Sequence, residues 1–173
     1  MMEAVWQAFD LPSTCYYQNL ITMRTSFRNA TTDDADRIAD MYLTSRERYL
    51  SYAPLAHKDE AVRTWIRETL IPSGSVTVAS IENSIVGFLA ISRDSAYGWV
   101  DHLYLDPTKT NMGLGSFLMN EAKRLLGGPI RLYTFQANIN ARRFYHRHGF
   151  REIELSDGAL NEEKTPDVLM EWP

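Results

Sequence analysis

Two glycines stand between a polar turn and an apolar helical pattern in residues 105–118, LDPTKTNMGLGSFL. The strand pattern WVDHLYL ends where this segment begins, so the chain passes from a strand through a glycine turn directly into a helix. The first N–H groups of a helix lack partners within it, and the helix dipole adds positive charge there. Small residues at Gly113, Gly115 and Ser116 would let a diphosphate come close to these donors.

The glycine turn alone does not identify its ligand. Leu118 replaces the third glycine of a dinucleotide-binding fingerprint, and the sequence contains no Gly-Lys-Ser/Thr of a nucleotide P-loop. The two glycines could equally serve only to shape the turn. The segment therefore predicts an anion cradle or a purely structural turn, and the turn alone does not distinguish between these two interpretations.

Apolar periodicity predicts helices and strands in alternation along the rest of the chain. The expected helices are at about 33–50, at 59–70, from 113 to about 125, and at 138–148. The expected strands are at about 24–29, in SVTVASI and IVGFLAIS, at 99–105 and 130–135, and in FREIEL and DVLMEW. The order β-α-α-β-β-β-α-β-α-β-β predicts an α/β (α+β) fold, with a mixed sheet that has helices on its faces.

Length and composition favour one globular domain. The chain has 173 residues, and a hydrophobic content of 45% suffices for a proper core. Cys15 is the only cysteine, so no disulfide can form within the chain, and a reducing compartment is expected. No apolar run is long enough to cross a bilayer, and the first residues lack the features of a secretory signal. We therefore expect a cytoplasmic protein without a membrane partner.

The charge is unevenly distributed. The net charge is −4, yet residues 107–151 carry eight basic side chains against Glu121 alone. Such a segment suggests a local anionic ligand, or else solvated helix faces. Bulk nucleic-acid binding is disfavoured, because the segment lacks interleaved exposed aromatic residues and the whole chain is acidic.

Residues 1–22 do not join the pattern of alternating elements. The stretch that starts at Met23, MRTSFRNATTDDA, looks like the beginning of a domain. We therefore expect an accessory N-terminal arm, or an upstream choice of start codon, at 1–22 and one domain at 23–173.

A second motif follows the strand at 130–135, where residues 138–150 are NINARRFYHRHGF. This segment has the complete pattern N-x-x-A-x-x-F-Y-x-x-x-G-F. Together with the glycine turn, the strand DHLYLDP and the tail NEEKTPDVLMEW, it resembles the GNAT superfamily of acyl-CoA-dependent N-acyltransferases over about 24–172. The resemblance implies a GNAT fold with a mostly antiparallel central sheet flanked by helices. It also implies an N-acetyltransferase domain at 23–173, acetyl-CoA as co-substrate and no metal.

The resemblance also implies which residues bind acetyl-CoA. The family turn is usually Gln/Arg-x-x-Gly-x-Gly/Ala, whereas here Thr110 replaces the long polar side chain and Asn111 stands where an extra glycine is common. Because the pyrophosphate contacts of the family come from backbone N–H groups, we expect the cradle to survive; the alternative is a degenerate site that has lost its co-substrate. The expected binding residues are Leu103, Leu105, Thr110, Asn111, Met112, Gly113, Leu114, Gly115, Ser116, Asn138 and Arg142.

Three of these expectations are specific. The backbone near Leu103 and Leu105 would pair with the pantetheine chain like an added strand. Asn138 would bond the pantetheine, cap the last helix, or do both. Lys109, with Arg142 or Arg143, would meet the phosphates of CoA.

The expected catalytic residues are Tyr145, Asp101 and His102. Tyr145 matches the general acid of the family, since a phenol with a pKa of about 10 is protonated at neutral pH; the alternative is a packed aromatic residue. Strand alternation predicts that Asp101 and His102 face opposite sides of the sheet. His102 has the better ordinary pKa for a base, whereas Asp101 would need burial and is favoured by its position in the family; either residue could be structural. Glu162 and Glu163 could face the acceptor amine instead.

We therefore expect transfer of an acetyl group from acetyl-CoA to a primary amine, by direct attack in a ternary complex. The acceptor would be a small-molecule amine or a peptide amine, and the acidic flanks at 1–106 and 152–173 favour a cationic one. The alternative function is a catalytically inactive CoA-binding or regulatory module of the same fold. The sequence leaves the oligomeric state open between a monomer and a homodimer, and dimers are common in the family.

Overall fold

A seven-stranded sheet forms the centre of the computed structural model, which describes residues 25–110 and 112–173. The strands are β1 Thr25–Asn29, β2 Val76–Ile81, β3 Ser84–Arg93, β4 Gly98–Leu105, β5 Ile130–Phe135, β6 Arg151–Ser156 and β7 Asp167–Trp172. They lie in the order β1-β2-β3-β4-β5-β7-β6, and every neighbouring pair is antiparallel except β4 and β5. The mixed, mostly antiparallel sheet is confirmed.

Helices cover the sheet at the positions that the periodicity predicts. In the described residues they are α1 Ala35–Tyr49, α2 Asp59–Trp65, α3 Leu114–Leu126 and α4 Ile139–Arg147. The chain after α2 continues as a π turn and a 3-10 turn before Gly74 ends it in a left-handed conformation. None of these helices is long and apolar enough to span a membrane. The predicted arm at 1–22 and the predicted ligand Asn111 lie outside the described residues.

Separate apolar clusters fill the two faces of the sheet. On one face, which we call the α1 face, helices α1 and α2 cover β2, β3 and β4, with Ile38, Ile66 and Phe88 fully buried. On the other, the α3 face, helix α3 packs against β3, β5 and β7 around Leu118 and Leu132. Both faces of the central strands are therefore buried, which fixes the direction of their side chains.

The two halves of the sheet separate between β4 and β5. These parallel strands pair only at Gly98 with Ile130 and at Trp99 with Arg131. Beyond those pairs β4 stays bonded to β3, and β5 stays bonded to β7, so an opening, which we call the wedge, lies between their C-terminal parts. The glycine turn follows β4 and the second motif follows β5, so both motifs lie at the open end of the wedge.

Strand β4 contains a bulge at Asp101. Ala90 pairs with His102 and Ile91 with Val100, so Asp101 is an extra residue without a partner on β3. Val100 is buried on the α3 face, whereas His102 lies among aromatic rings on the α1 face. The bulge therefore shifts the alternation of side chains at the point where the wedge opens.

Candidate active site

The glycine turn presents free N–H groups at the start of α3. Gly113 has a φ of 81°, a left-handed conformation that favours glycine, and it immediately precedes the helix. The helical bonds begin with the N–H of Phe117, which donates to the carbonyl of Gly113 at 3.2 Å. The N–H groups of Leu114, Gly115 and Ser116 precede that bond, at the positive end of the helix dipole. This is the arrangement that an anion cradle requires.

The two glycines of the turn serve different purposes. A Cβ at Gly115 would lie 3.3 Å from the ring of Phe144, so this glycine allows α3 and α4 to pack closely. A Cβ at Gly113 would meet nothing closer than 3.9 Å, in Phe117. Gly113 is therefore required for its backbone conformation, and Gly115 for helix packing rather than for the approach of a diphosphate.

The other side chains of the turn have partners within the protein. Ser116 Oγ lies 3.0 Å from Nε2 of His148, which follows α4. Leu114 is buried in the core of the α3 face, and Met112 packs against it. Among the described residues, Thr110 Oγ1 makes one long contact, of 3.5 Å, with the carbonyl of Pro107. The contacts that these residues can offer a ligand are therefore mainly those of their backbone.

The free edge of β4 faces the wedge. The N–H of Asp106 donates to Val86 of β3 at 2.9 Å, so by backbone alternation the polar groups of Leu105 and Leu103 point away from β3. The pairing with β5 ends before these residues. Ser45 of α1 donates to the carbonyl of Leu105 at 2.8 Å and occupies one of its acceptor positions. The edge can therefore pair with an extended chain, although Ser45 already occupies one acceptor position of the Leu105 carbonyl.

The second motif supplies a helix cap and an ion pair. Oδ1 of Asn138 accepts from the N–H of Ala141 at 3.1 Å, which confirms the capping alternative. Arg142 forms a bidentate pair with Glu152, at 2.7 and 3.0 Å, and also donates to the carbonyl of Gln136 at 2.9 Å. Because these bonds occupy the guanidinium, they argue against the phosphate contact predicted for Arg142.

Tyr145 is directed from α4 toward the wedge. Its ring packs against Phe144 and Phe150, with centroids 5.3 and 5.9 Å apart. Its hydroxyl interacts electrostatically with that of Tyr104, which stands on the α1 face of β4. Burial raises the pKa of Tyr145 to about 12, so the phenol is protonated at neutral pH and can donate a hydrogen bond.

A cavity of about 950 Å³ lies on the α1 face beside the wedge. Part of its wall is aromatic and comprises Tyr42, Trp65, Tyr104, Tyr133 and Phe135. Its charged lining comprises the acidic residues Asp101, Glu154, Glu162, Glu163 and Asp167 and the single guanidinium of Arg46. Residues 25–110 and 112–173 contain no group of three or more His, Cys, Asp or Glu suited to a metal ion.

Arg46 is a buried cation at this cavity, and no pattern in the sequence predicts it. The residue is 6% exposed; its Nη2 pairs with Glu163 at 3.0 Å and donates to the carbonyl of Ala53 at 3.0 Å. The guanidinium also lies 5.7 Å from the ring centroid of Tyr42 and 5.8 Å from that of Phe135. An arginine in an amphipathic helix is usually exposed, and no local spacing links it to a glutamate in a distant loop. No signal in the sequence could have identified it.

Glu162 and Glu163, which the sequence left as possible contacts for the acceptor, both line the cavity. Glu163 is held by Arg46, whereas Glu162 lies 3.2 Å from Nε2 of His57 in an exposed contact. The two glutamates therefore approach the cavity from the β6–β7 loop, each with a partner near α1 or α2.

Asp101 and His102 both line the cavity, so the prediction of opposite faces is wrong. The bulge at Asp101 adds one residue, and Ser92 on the α1 face donates to its Oδ1 at 3.0 Å. Desolvation of the carboxyl raises the pKa of Asp101, even though the residue as a whole is exposed. Burial, together with the charge of Arg46, lowers the pKa of His102 to about 4. These opposite shifts remove the advantage that its ordinary pKa gave His102.

The comparisons with known proteins agree with this geometry. The family model described as acetyltransferase (GNAT) family matches residues 38–150. A search of curated proteins finds no match.

Solved structures share the fold at low sequence identity. Ard1 from Thermoplasma volcanium is 20% identical, with a TM-score of 0.67 over 86% of this chain and 97% of that one. The PaiA N-acetyltransferase of Thermoplasma acidophilum, in complex with coenzyme A, is 21% identical, with a TM-score of 0.66 over 85% and 97%. Arabidopsis thaliana Naa50, in complex with the bisubstrate analogue CoA-Ac-MVNAL, is 16% identical, with a TM-score of 0.65 over 87% and 99%.

Proposed function

This chain belongs to the GNAT acetyltransferase family, and from that premise we propose that it transfers an acetyl group from acetyl-CoA to a primary amine. The observation that carries the proposal is the wedge between β4 and β5. It lies between the glycine turn and an acidic cavity, and Tyr145 is directed toward it. Two substrates could meet there, which supports direct attack in a ternary complex.

The residues around the wedge fit acetyl-CoA. The N–H groups of residues 114–116 suit a pyrophosphate, and the free edge at Leu103 and Leu105 suits an amide-containing chain. The exposed side chains of Lys109 and Arg143 are the cations that could meet the remaining phosphate. Acetyl-CoA supplies the acetyl group in activated form, as a thioester. The complexes of PaiA with coenzyme A and of Naa50 with a CoA analogue support this use of the fold.

Asp101 is the base that we assign to the acceptor amine. An alkyl ammonium has a pKa of about 10 and must lose a proton before its nitrogen can attack. The Asp101 carboxylate lies on the cavity wall with its pKa raised, which makes it a better base than an ordinary aspartate. His102, beside it, is neutral at neutral pH because its pKa is lowered, so it adds no positive charge that would repel the ammonium group of the acceptor.

Tyr145 is the residue that we assign to the leaving sulfur. Asp101 passes the ammonium proton to water before the attack. The C–N bond then forms while the C–S bond breaks, the nitrogen loses its second proton to the regenerated carboxylate, and negative charge develops on sulfur. The pKa of a thiol is about 8.5, well below that of Tyr145 at about 12. Tyr145 therefore stabilises the thiolate mainly through a hydrogen bond, in a site where burial strengthens that bond.

Thermal denaturation and product analysis test this function. We expect CoA and acetyl-CoA to raise Tm, and a panel of primary amines to give an N-acetyl product and free CoA in equal amounts. A raised Tm without product from any amine would favour the CoA-binding regulatory module. An unchanged Tm with either ligand would contradict the use of acetyl-CoA.

A further inference from the structure

The cavity contains more carboxylates than its cations can neutralise. Glu163 is paired with Arg46, and Glu162 lies beside His57. The three other carboxylates, Asp101, Glu154 and Asp167, form no ion pair within the described ranges. Arg46 has its counterion in Glu163, although its Nε is buried without a hydrogen-bond partner in the described residues. The net charge of the lining therefore favours a cationic ligand.

Asp167 provides an independent sign of a cationic ligand. The residue is 9% exposed, and its Oδ2 accepts from Nδ2 of Asn161 at 2.8 Å. Its Oδ1 is buried and has no hydrogen-bond partner in the part of the chain that the structure describes. A buried carboxyl oxygen without a hydrogen-bond partner is unfavourable unless a ligand binds it. Asp167 lines the cavity, so a small rotation of its side chain would bring that oxygen to a donor arriving there.

The cavity wall between Asp101 and Asp167 suits a methylene chain. Tyr133 and Phe135, both on β5, line the cavity between β4 and β7, and Phe135 pairs directly with Asp167. The wedge and strand β5 lie between Asp101 and Asp167, so the two carboxylates stand on opposite sides of this wall. Aromatic faces bind both alkyl chains and ammonium groups.

We infer that the acceptor is a diamine or polyamine, in which one nitrogen reacts beside Asp101 while a second ammonium binds at Asp167 and Glu154. This inference rests on the proposed function and specifies its substrate class. Glu154 lies on β6, next to the start of β7, and lines the same end of the cavity as Ser156, which pairs with Asp167. Together the two carboxylates can bind a second ammonium group, which a monoamine lacks.

Calorimetry on the CoA-saturated protein tests the second ammonium site without turnover. The probes are cadaverine, pentylamine and 5-aminovalerate, which share a five-carbon chain and carry a distal ammonium, methyl or carboxylate group. We expect cadaverine to bind at least 10-fold more tightly than pentylamine, and 5-aminovalerate to bind more weakly than either. Equal affinity for cadaverine and pentylamine, or tighter binding of 5-aminovalerate, would overturn the inference.

Substitutions locate the site. We expect Glu154→Gln and Asp167→Asn each to weaken cadaverine binding 5- to 10-fold while the affinity for pentylamine stays unchanged. The exposed Glu68, which lies outside the cavity, provides the matched control Glu68→Gln, which should change neither. Glu154→Gln removes an exposed charge, so it keeps the test valid if Asp167→Asn does not fold. Unchanged cadaverine affinity in Glu154→Gln would contradict the assigned site.

Turnover separates this inference from the proposed function. Acetylation of all primary amines with equal kcat/KM would uphold acetyl transfer and overturn the second ammonium site. Selective binding of cadaverine without any acetylated product would uphold the ammonium site and overturn acetyl transfer.

Discussion

Ser92 holds Asp101 on the cavity side of β4 through a hydrogen bond of 3.0 Å from its hydroxyl to Oδ1. Asp101 is the extra residue of the bulge and has no partner on β3, so this side-chain bond is its link to the neighbouring strand. Burial raises the pKa of Asp101, and the bond from Ser92 lowers it by a smaller amount. The carboxyl is therefore both oriented and made more basic.

Replacing Asp101 by Asn should remove the base. We expect kcat to fall by about 100-fold, the lower range for a positioned general base. In the wild type, kcat should decrease as the pH falls through the raised pKa of Asp101, because the protonated carboxyl cannot accept a proton. Asp101→Asn should lose this acid limb, and Ser92→Ala should move it to higher pH. A wild-type profile of kcat against pH in Asp101→Asn would show that the base is elsewhere.

Alanine at Gly113 should weaken acetyl-CoA binding through the backbone. A left-handed conformation costs a non-glycine residue about 1–2 kcal/mol, so the turn will shift or the protein will lose that stability. We expect the KM for acetyl-CoA to rise about 10-fold. Gly74 has a similar φ of 74° in open space, away from the wedge, so Gly74→Ala should lose similar stability and keep the wild-type KM. A similar rise in KM in both variants would contradict the cradle.

Removing Arg46 should destabilise the fold. Arg46→Met leaves Glu163 without its partner, and breaking a buried ion pair costs about 3–5 kcal/mol. We expect the free energy of unfolding, measured in urea, to fall by an amount near the lower limit, since Glu163 is partly exposed. It should recover in part in the double variant with Glu163→Gln. The exposed pair of Arg67 and Asp36 is the control, and Arg67→Met should cost less than about 1 kcal/mol. Equal losses in the two single variants would contradict the buried role of Arg46.

The ion pair of Asp34 and Arg28 should make stability depend on pH in the acid range. Two hydrogen bonds from Arg28, at 2.7 and 2.8 Å, and one from the N–H of Thr31 lower the pKa of Asp34 to about 2. Because the folded-state pKa lies below the ordinary value of 3.8, this stabilisation is complete above about pH 4 and is lost as the pH falls toward 2. Asp34→Asn should therefore unfold more easily than the wild type at pH 6, by about 1–2 kcal/mol, and the difference should shrink at pH 3. A constant difference would contradict the linkage.

Sequence patterns predicted the elements well, because each segment carried its own signal. Helix α3 followed from its apolar face and its glycine stop, and the cap at Asn138 followed from its place before α4. These features depend on residues within a few positions of one another. The order of the elements was predictable for the same reason.

Features that depend on pairing across the fold were not predictable. The bulge at Asp101 arises from the register between β3 and β4, which an apolar pattern does not report. The pairs of Arg142 with Glu152 and of Arg46 with Glu163 join residues on different elements. These contacts determine which of the predicted side chains are free to contact a ligand. The two motifs of the candidate site were therefore predictable from the sequence, whereas the lining of its cavity was not.

The kinetics of Tyr145→Phe test the central claim most directly. Phe keeps the ring packing against Phe144 and Phe150 and removes only the hydroxyl, so binding should be preserved. With cadaverine and acetyl-CoA as substrates, we expect kcat to fall by about 100-fold while the KM for acetyl-CoA changes less than about 2-fold. A wild-type kcat in Tyr145→Phe would contradict the assignment of Tyr145 to the leaving sulfur.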